Sequence, residues 1–398
     1  MQENIGFFSS LTVLRSSCMV RRVSTLLRVA KIERRAHEIR DPLERLRYLR
    51  QAMATASHRH FRPRWRWMVP VVLGVVIVPL ASDVNVRHLQ ALKLPIMAMR
   101  QAGLDTPNVW AVEQTKGSDV YSNGLQIENR LAVTNEPRSY PLMRRESDGK
   151  FGPLRDQPAG IVFHTTESDQ VPFEASQSRA LKRIGQELLL YIRNKRAYHF
   201  LIDRFGRVHR IVVESDTANH AGHSVWADSR WVYFDLNASF LGVAFEARMH
   251  ADERPVNQAQ IHAAKVLTEM LRSKYTIPAE NCITHAQVSV NPDNTRVGWH
   301  TDWGAGFPFK DIGLPDNYEL PNPSLYLFGF GYDPTYMNST NPELWKGLLQ
   351  AEERVREAAL EHRQSVAEYR TSLQKKYRKQ ISALRHRGAT EENDHEPN

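Results

Sequence analysis

Two histidines and one aspartate, set far apart along 398 residues, are the side chains best suited to hold a metal. His164 ends the apolar run Gly160-Ile161-Val162-Phe163-His164, and His285 ends Cys282-Ile283-Thr284-His285. Asp302 stands in Trp299-His300-Thr301-Asp302-Trp303-Gly304. Two imidazoles and a carboxylate make a three-ligand zinc set whose fourth position stays open for water, the pattern of a catalytic rather than a structural zinc. The chain has 16 histidines and no HExxH helix to fix two of them on one face. The same residues also fit two hydrogen-bonded core histidines and a capping aspartate, so spacing alone leaves both readings open.

The elements that must carry these residues are legible from period and punctuation. Strands are predicted at 160–164, 198–203, 207–213, 240–246 and 281–284, and helices at 176–195 and 256–275. In the second helix Ile261, Ala264, Leu267, Met270 and Leu271 mark one face. Strands alternating with helices predict an α/β domain, a central sheet covered by helices. Residues 84–158 predict short strands at 109–114 and 124–133 in an extension that packs on this domain.

Between the two histidines stand Tyr198-His199-Phe200-Leu201-Ile202-Asp203-Arg204-Phe205-Gly206-Arg207, then Asn219-His220-Ala221-Gly222-His223-Ser224-Val225-Trp226, then Asp235-Leu236-Asn237 and Phe240-Leu241-Gly242-Val243-Ala244-Phe245-Glu246. This order resembles the zinc-dependent N-acetylmuramoyl-L-alanine amidases of the type shared by phage lysozyme-amidases and peptidoglycan recognition proteins, over about residues 158–312. The resemblance implies a mixed central β-sheet flanked by helices, Zn2+ on His164, His285 and Asp302, and hydrolysis of the amide between N-acetylmuramic acid and L-alanine of peptidoglycan. It implies that His220, His223 and Trp226 line the substrate groove and that Asn237 holds their loop. Two departures stand out. Relatives often have a lysine two positions before the carboxylate ligand, where this chain has His300, and a glutamate where it has Ala244. The assisting groups then fall to Tyr198 and His300, with Glu246, two residues along the strand from Ala244, as a weaker candidate. The alternative is a receptor or membrane scaffold that binds peptidoglycan on the same fold without cleaving it.

The net charge of +9 belongs to one end. Residues 1–67 hold 15 Lys/Arg and 5 Asp/Glu, a net of +10, which leaves 38 basic and 39 acidic residues elsewhere. No zinc-finger, RNP or helix-turn-helix pattern accompanies that charge, so nucleic acid is not the expected partner. Residues 67–81 carry no charge, follow Arg59, Arg62, Arg64 and Arg66, and are flanked by Trp65 and Trp67. They predict a membrane anchor over 67–82, short of the roughly 20 residues of a full span but extended by interfacial tryptophans and a snorkelling arginine. The arginine bias places residues 1–66, a basic helical segment, in the cytoplasm and the amidase domain in the periplasm or outside the cell. The apolar run begins too late for an ordinary cleaved signal peptide. Beyond the domain at 158–320 and a linker at 321–340, a capped helix is predicted over 341–388, with Leu348, Val355, Ala359, Val366, Tyr369, Leu373, Tyr377, Ile381 and Leu384 in a narrow stripe. That stripe predicts a coiled coil, through which the chain meets itself or a partner, or a helix docked by one face. Residues 389–398 are expected to be disordered. Two cysteines, Cys18 and Cys282, make no disulfide framework.

Overall fold

The computed structural model describes residues 108–145, 151–249, 255–291, 293–333 and 346–393. All lie within one unit, Gln101–Asn398. The basic segment 1–66, the anchor 67–82 and residues 83–107 lie outside the described residues. Among the described residues no helix is long and apolar enough to cross a membrane.

The extension supplies β1 (Ala111–Gln114), β2 (Ser118–Tyr121), β3 (Gln126–Glu128), β4 (Tyr140–Arg144) and β5 (Phe151–Arg155). The domain proper then gives β6 (Gly160–Thr165), β7 (Phe200–Ile202), β8 (Val208–Arg210), β9 (Trp226–Ala227), β10 (Trp231–Tyr233), β11 (Phe240–Phe245) and β12 (Cys282–Thr284). Its helices are α1 (Ser178–Asn194), α2 (Leu236–Ser239), α3 (Gln258–Tyr275) and α4 (His285–Val288).

Eight strands form the central sheet in the order β1-β2-β3-β8-β7-β11-β6-β12. β6 pairs in parallel with β11 from Gly160 opposite Phe240 to Thr165 opposite Phe245, and with β12 on its other side. Every residue of β6 and β11 is buried, which is why these runs are apolar throughout instead of alternating. One face packs Ile161, Phe163, Val243 and Phe245 under Ile261, Ala264, Leu267 and Leu271 of α3. The opposite face sets Leu201 and Ala244 against Leu189 and Ile192 of α1. α3 starts on a reciprocal cap, Asn257 Oδ1 accepting from Gln260 N at 3.0 Å and Gln260 Oε1 from Asn257 N at 3.2 Å.

The extension does more than pack on the domain. β3 joins β8 in parallel, with Ile127 opposite Val208, so three extension strands lengthen the central sheet. β4 and β5 build a second sheet with β10 and β9.

The C-terminal region differs from one uninterrupted helix. Within the expected linker lies α5 (Pro323–Phe328), followed by α6 (Lys346–Glu361) and α7 (Val366–Asn393). The break falls at Ser365, whose Oγ accepts from Glu368 N at 3.3 Å while Glu368 Oε2 accepts from Ser365 N at 2.9 Å, a new helix start. α7 extends to Asn393, into the stretch expected to be disordered. The apolar stripe divides at this break: its α6 part is spent inside the chain, whereas Val366 at the start of α7 is exposed. Leu348, Ala351, Val355 and Ala359 are buried, and Tyr377 packs on Phe328 and Phe330 with ring centroids 5.2 and 4.8 Å away. Arg370 Nη2 donates to Glu352 Oε1 at 2.6 Å and ties α7 to α6.

Candidate metal centre

His164 is the penultimate residue of β6, at the carboxyl side of the sheet, and β12 ends one residue before His285, the first residue of α4. Parallel neighbours thus deliver both imidazoles to one edge, where a loop brings Asp302 between them. Asp302 Oδ1 lies 2.8 Å from His285 Nδ1, and Oδ2 lies 3.2 Å from His164 Nδ1. One ligand atom from each residue falls within 4.8 Å of the others. Burial opposes ionisation of Asp302, but His285 and the His164 ring beside it outweigh it and hold the carboxyl far below its usual range. Burial first, and His285 second, pull His164 down to about 4. A buried carboxylate beside an uncharged His164 calls for a cation, and the three donors are those zinc accepts.

The centre opens into a cleft of about 440 Å³, lined among others by Thr166, Glu167, Tyr198, Asn219, His300 and Asp302. Tyr198 sits at φ 62°, a left-handed conformation costly for a residue with a Cβ, and its ring centroid is 5.1 Å from that of His164. Burial raises its hydroxyl well above the usual phenol range, so it stays protonated. His300 lies parallel to His285, centroids 4.6 Å apart at 17°. Burial, then His285, lower its pKa. Its backbone is fixed by Ser289, whose Oγ accepts from His300 N at 3.0 Å.

His220 is buried and also borders the cleft, but its ring faces the metal centre. Nδ1 lies 3.2 Å from His164 Nε2, and Nε2 lies 3.3 Å from the Phe240 carbonyl oxygen. Gly242 makes room for it, since a Cβ there would stand 2.6 Å from His220 Cγ. Asn237 Oδ1 accepts from the backbone N–H groups of His220 and Ala221 at 2.9 and 2.7 Å, so it holds this loop.

Three expected site residues lie elsewhere. The Glu246 carboxylate is covered by α1, its Oε2 accepting from Arg204 N at 3.1 Å and both oxygens 3.6 Å from a Cβ built at Gly185. Strand alternation does put it on the face of Ala244, but past the edge that meets the cleft. Trp226 is 2 % exposed in the core between the two sheets, where its Nε1 donates to Asn281 Oδ1 at 3.1 Å. His223 is exposed on the loop and does not line the cleft. Conversely, Glu167 does line it, and sequence reasoning passed over it. Its Oε1 accepts from Thr165 Oγ1 at 2.6 Å and from Met249 N at 3.0 Å. The free thiol of Cys282 is buried in β12 and pushed up to about 12 by that burial, which makes it inert.

A mixed sheet with a three-donor cleft at the carboxyl ends of its parallel strands defines an α/β enzyme with a candidate metal centre. Residues 154–305 match the family described as N-acetylmuramoyl-L-alanine amidase, Amidase_2. The chain carries a domain of that family, an amidase that hydrolyses the bond between N-acetylmuramic acid and L-alanine in peptidoglycan. Among solved structures it is similar to the N-acetylmuramoyl-L-alanine amidase LysC from Clostridium intestinale URNW, at 23% identity over 46% of this chain and 93% of that one, with a TM-score of 0.25. It is similar to AmpDh3 from Pseudomonas aeruginosa in complex with an anhydromuramic pentapeptide, at 21% identity over 49% and 88%, TM-score 0.31. AmiD from E. coli, in complex with anhydro-N-acetylmuramic acid-L-Ala-D-gamma-Glu-L-Lys, gives 20% identity over 61% and 98%, TM-score 0.32. No curated protein matches the chain. The family assignment rests on the match over 154–305, not on these low scores.

Proposed function

We propose that this amidase is zinc-dependent, with the ion held by Nδ1 of His164, Nδ1 of His285 and the Asp302 carboxylate. The observation that carries the reading is the convergence of these donors around a buried negative charge. A bound zinc supplies polarisation of the scissile carbonyl and a water of lowered pKa. The side chains around it do the rest. Glu167, with Oε1 fixed by Thr165 and Met249, keeps Oε2 to take a proton from the attacking water and return it to the departing amide nitrogen. It fills the role that Ala244 vacates. His300 and the protonated Tyr198 offer donors toward the oxygen that gains charge as the carbonyl becomes tetrahedral. Asn219, Thr166 and the backbone at Gly222 give the cleft polar groups for a peptide stem. The muropeptides in the AmiD and AmpDh3 structures are ligands of that chemistry.

Residues 67–82 anchor the enzyme, with residues 1–66 cytoplasmic and the amidase beyond the membrane; the arginine cluster before Trp67 supports this orientation. Two experiments test these readings. Purified sacculi digested with the protein should release stem peptides with a free L-alanine amine, and a chelator should stop the release. Stems still attached to glycan, or release indifferent to the chelator, would refute zinc amidase activity. Protease added to intact spheroplasts should remove the amidase domain, and its protection would refute the orientation.

A further inference from the structure

Arg138 lies in the extension, ahead of the family match, and is 3 % exposed. Its Nε donates to the Glu214 carbonyl at 3.1 Å and its Nη2 to the Asp216 carbonyl at 2.9 Å. Nη1 donates to the Ala238 carbonyl and, at 3.3 Å, to that of Phe240. Nη2 also lies 2.8 Å from Nε2 of His199, whose Nδ1 accepts from Gly242 N at 2.9 Å. Buried cations ordinarily meet a carboxylate; here the acceptors are backbone carbonyls, while His199 Nε2, protonated because Nδ1 accepts, lies 3.0 Å from the Asp216 carbonyl oxygen. Burial pulls the guanidinium down to about 10, so it is still charged at neutral pH.

These contacts reach the metal centre through one atom, the Phe240 carbonyl oxygen. Arg138 approaches it on one side and His220 Nε2 on another. A carbonyl only accepts, so His220 must carry its proton on Nε2. Neutral His220 then offers Nδ1 as acceptor to the Nε2–H of His164. That leaves Nδ1 of His164 with a bare lone pair facing Asp302, a pairing that only a cation between them relieves.

We propose that Arg138 is a positioning residue of the metal centre: it fixes the Phe240 carbonyl that sets the His220 tautomer, and thereby selects the ligand nitrogen of His164. The proposal rests on the zinc reading above and extends the centre into a segment outside the family's own span. Partners one step removed from a metal typically tune its affinity about 10–100-fold.

The test uses the full chain as wild type, R138M and R138K. Imidazole 15N spectra of the zinc-free protein should show His220 protonated on Nε2 in the wild type and a tautomer mixture in R138M. Zinc affinity, by competition with a chromophoric chelator, should fall about 10–100-fold in R138M, and R138K should recover part of it. With zinc loaded, kcat should fall while KM changes little. Wild-type His220 protonated on Nδ1 overturns the proposal, as does R138M with unchanged tautomer and zinc affinity. If R138M does not fold, R138K is read by the same two measurements, and unchanged values there overturn it equally. A wild-type chain that binds no zinc defeats the metal reading itself, whereas normal zinc binding with an unshifted tautomer in R138M defeats only this inference.

Discussion

Two of the polar clusters buried in this domain differ in how their charge is balanced, one in the outer half of the sheet and one at the cleft. In the first, Arg210 of β8 donates through Nη1 to Asp119 Oδ2 of β2 at 2.8 Å and through Nη2 to Glu214 Oε1 at 3.1 Å. Lys274 adds a contact to Glu214 at 3.5 Å, so two cations meet two carboxylates. In the second, Asp302 faces two imidazole nitrogens, His164 is drawn down to about 4 and His220 well below its ordinary value, and among the described residues no lysine or arginine forms an ion pair with Asp302. Both are buried and both are hydrogen-bonded. The first balances its charge from within and joins the extension to the sheet. The second leaves a negative charge and a set of lone pairs aimed at one point. Incomplete balance, not burial of polar groups, separates the site from the framework.

The largest test of that contrast is removal of a ligand at the incomplete cluster. Asp302→Asn or His285→Ala should empty the site by metal analysis and lower sacculus hydrolysis on the order of 10³-fold or more. His300→Ala should keep its zinc and lose about 10²–10³ in turnover, with His300→Lys restoring part. Loss of metal in His300→Ala, with Asp302→Asn still filled, would reverse the roles of these two residues.

The complete cluster should fail in the opposite way. Arg210→Met leaves Asp119 buried without its cation and Glu214 with Lys274 alone, and breaking such a buried pair typically costs about 3–5 kcal/mol. Thermal unfolding should shift down by several degrees or more while zinc binding, measured well below the transition, is unchanged. Equal loss of zinc and stability would mean that the two clusters are one cooperative unit.

How these clusters stand in the sequence explains what could be foreseen. The three ligands were legible because each closes an apolar run or sits in a compact motif, and because the surrounding order resembles a known family. The central strands were legible because both faces are buried, which writes itself as uninterrupted Ile, Val, Leu and Phe. Direction out of a strand is less legible: Trp226 matches a groove motif but points into the core, and Glu246 alternates correctly yet ends beneath α1. Arg138 and Glu167 carry no period and no motif; their roles come from contacts to residues far along the chain, Arg138 to Phe240 and Glu167 to Met249. The break between α6 and α7 was readable, since Ser365-Val366-Ala367-Glu368 is a capping-box pattern, but the apolar stripe running through it masked the signal.

Acid should separate the clusters in the zinc-free protein. The folded-state pKa of His164 is lowered from 6.5 to about 4, so as pH falls the unfolded chain takes up this proton first. Stability should therefore fall from about pH 6.5 and level off for this group below about 4, by about 3 kcal/mol at most. Asp302, held below the ordinary carboxylate range, adds its loss only at lower pH. Bound zinc occupies the same nitrogen and should move the decline to more acid pH. Unfolding midpoints at several pH values, with and without zinc, measure this directly; curves that superimpose would mean the metal does not sit on His164.

The smallest expected effect is also the cleanest control on burial. Arg183 and Glu187 on α1 share the i,i+4 spacing of Arg210 and Glu214, and Arg183 Nη1 donates to Glu187 Oε1 at 3.1 Å, the same distance as Arg210 Nη2 to Glu214 Oε1. The side chains of the first pair are 65% and 62% exposed, those of the second 9% and 7%. Water screens the first pair and solvates each partner when the other is lost, so it is worth about 0.3–0.5 kcal/mol. Glu187→Gln should move the unfolding midpoint by no more than about a degree or two and leave zinc and turnover untouched. A shift comparable to that of Arg210→Met would show that geometry alone, and not the surroundings, sets the value of such a pair in this protein.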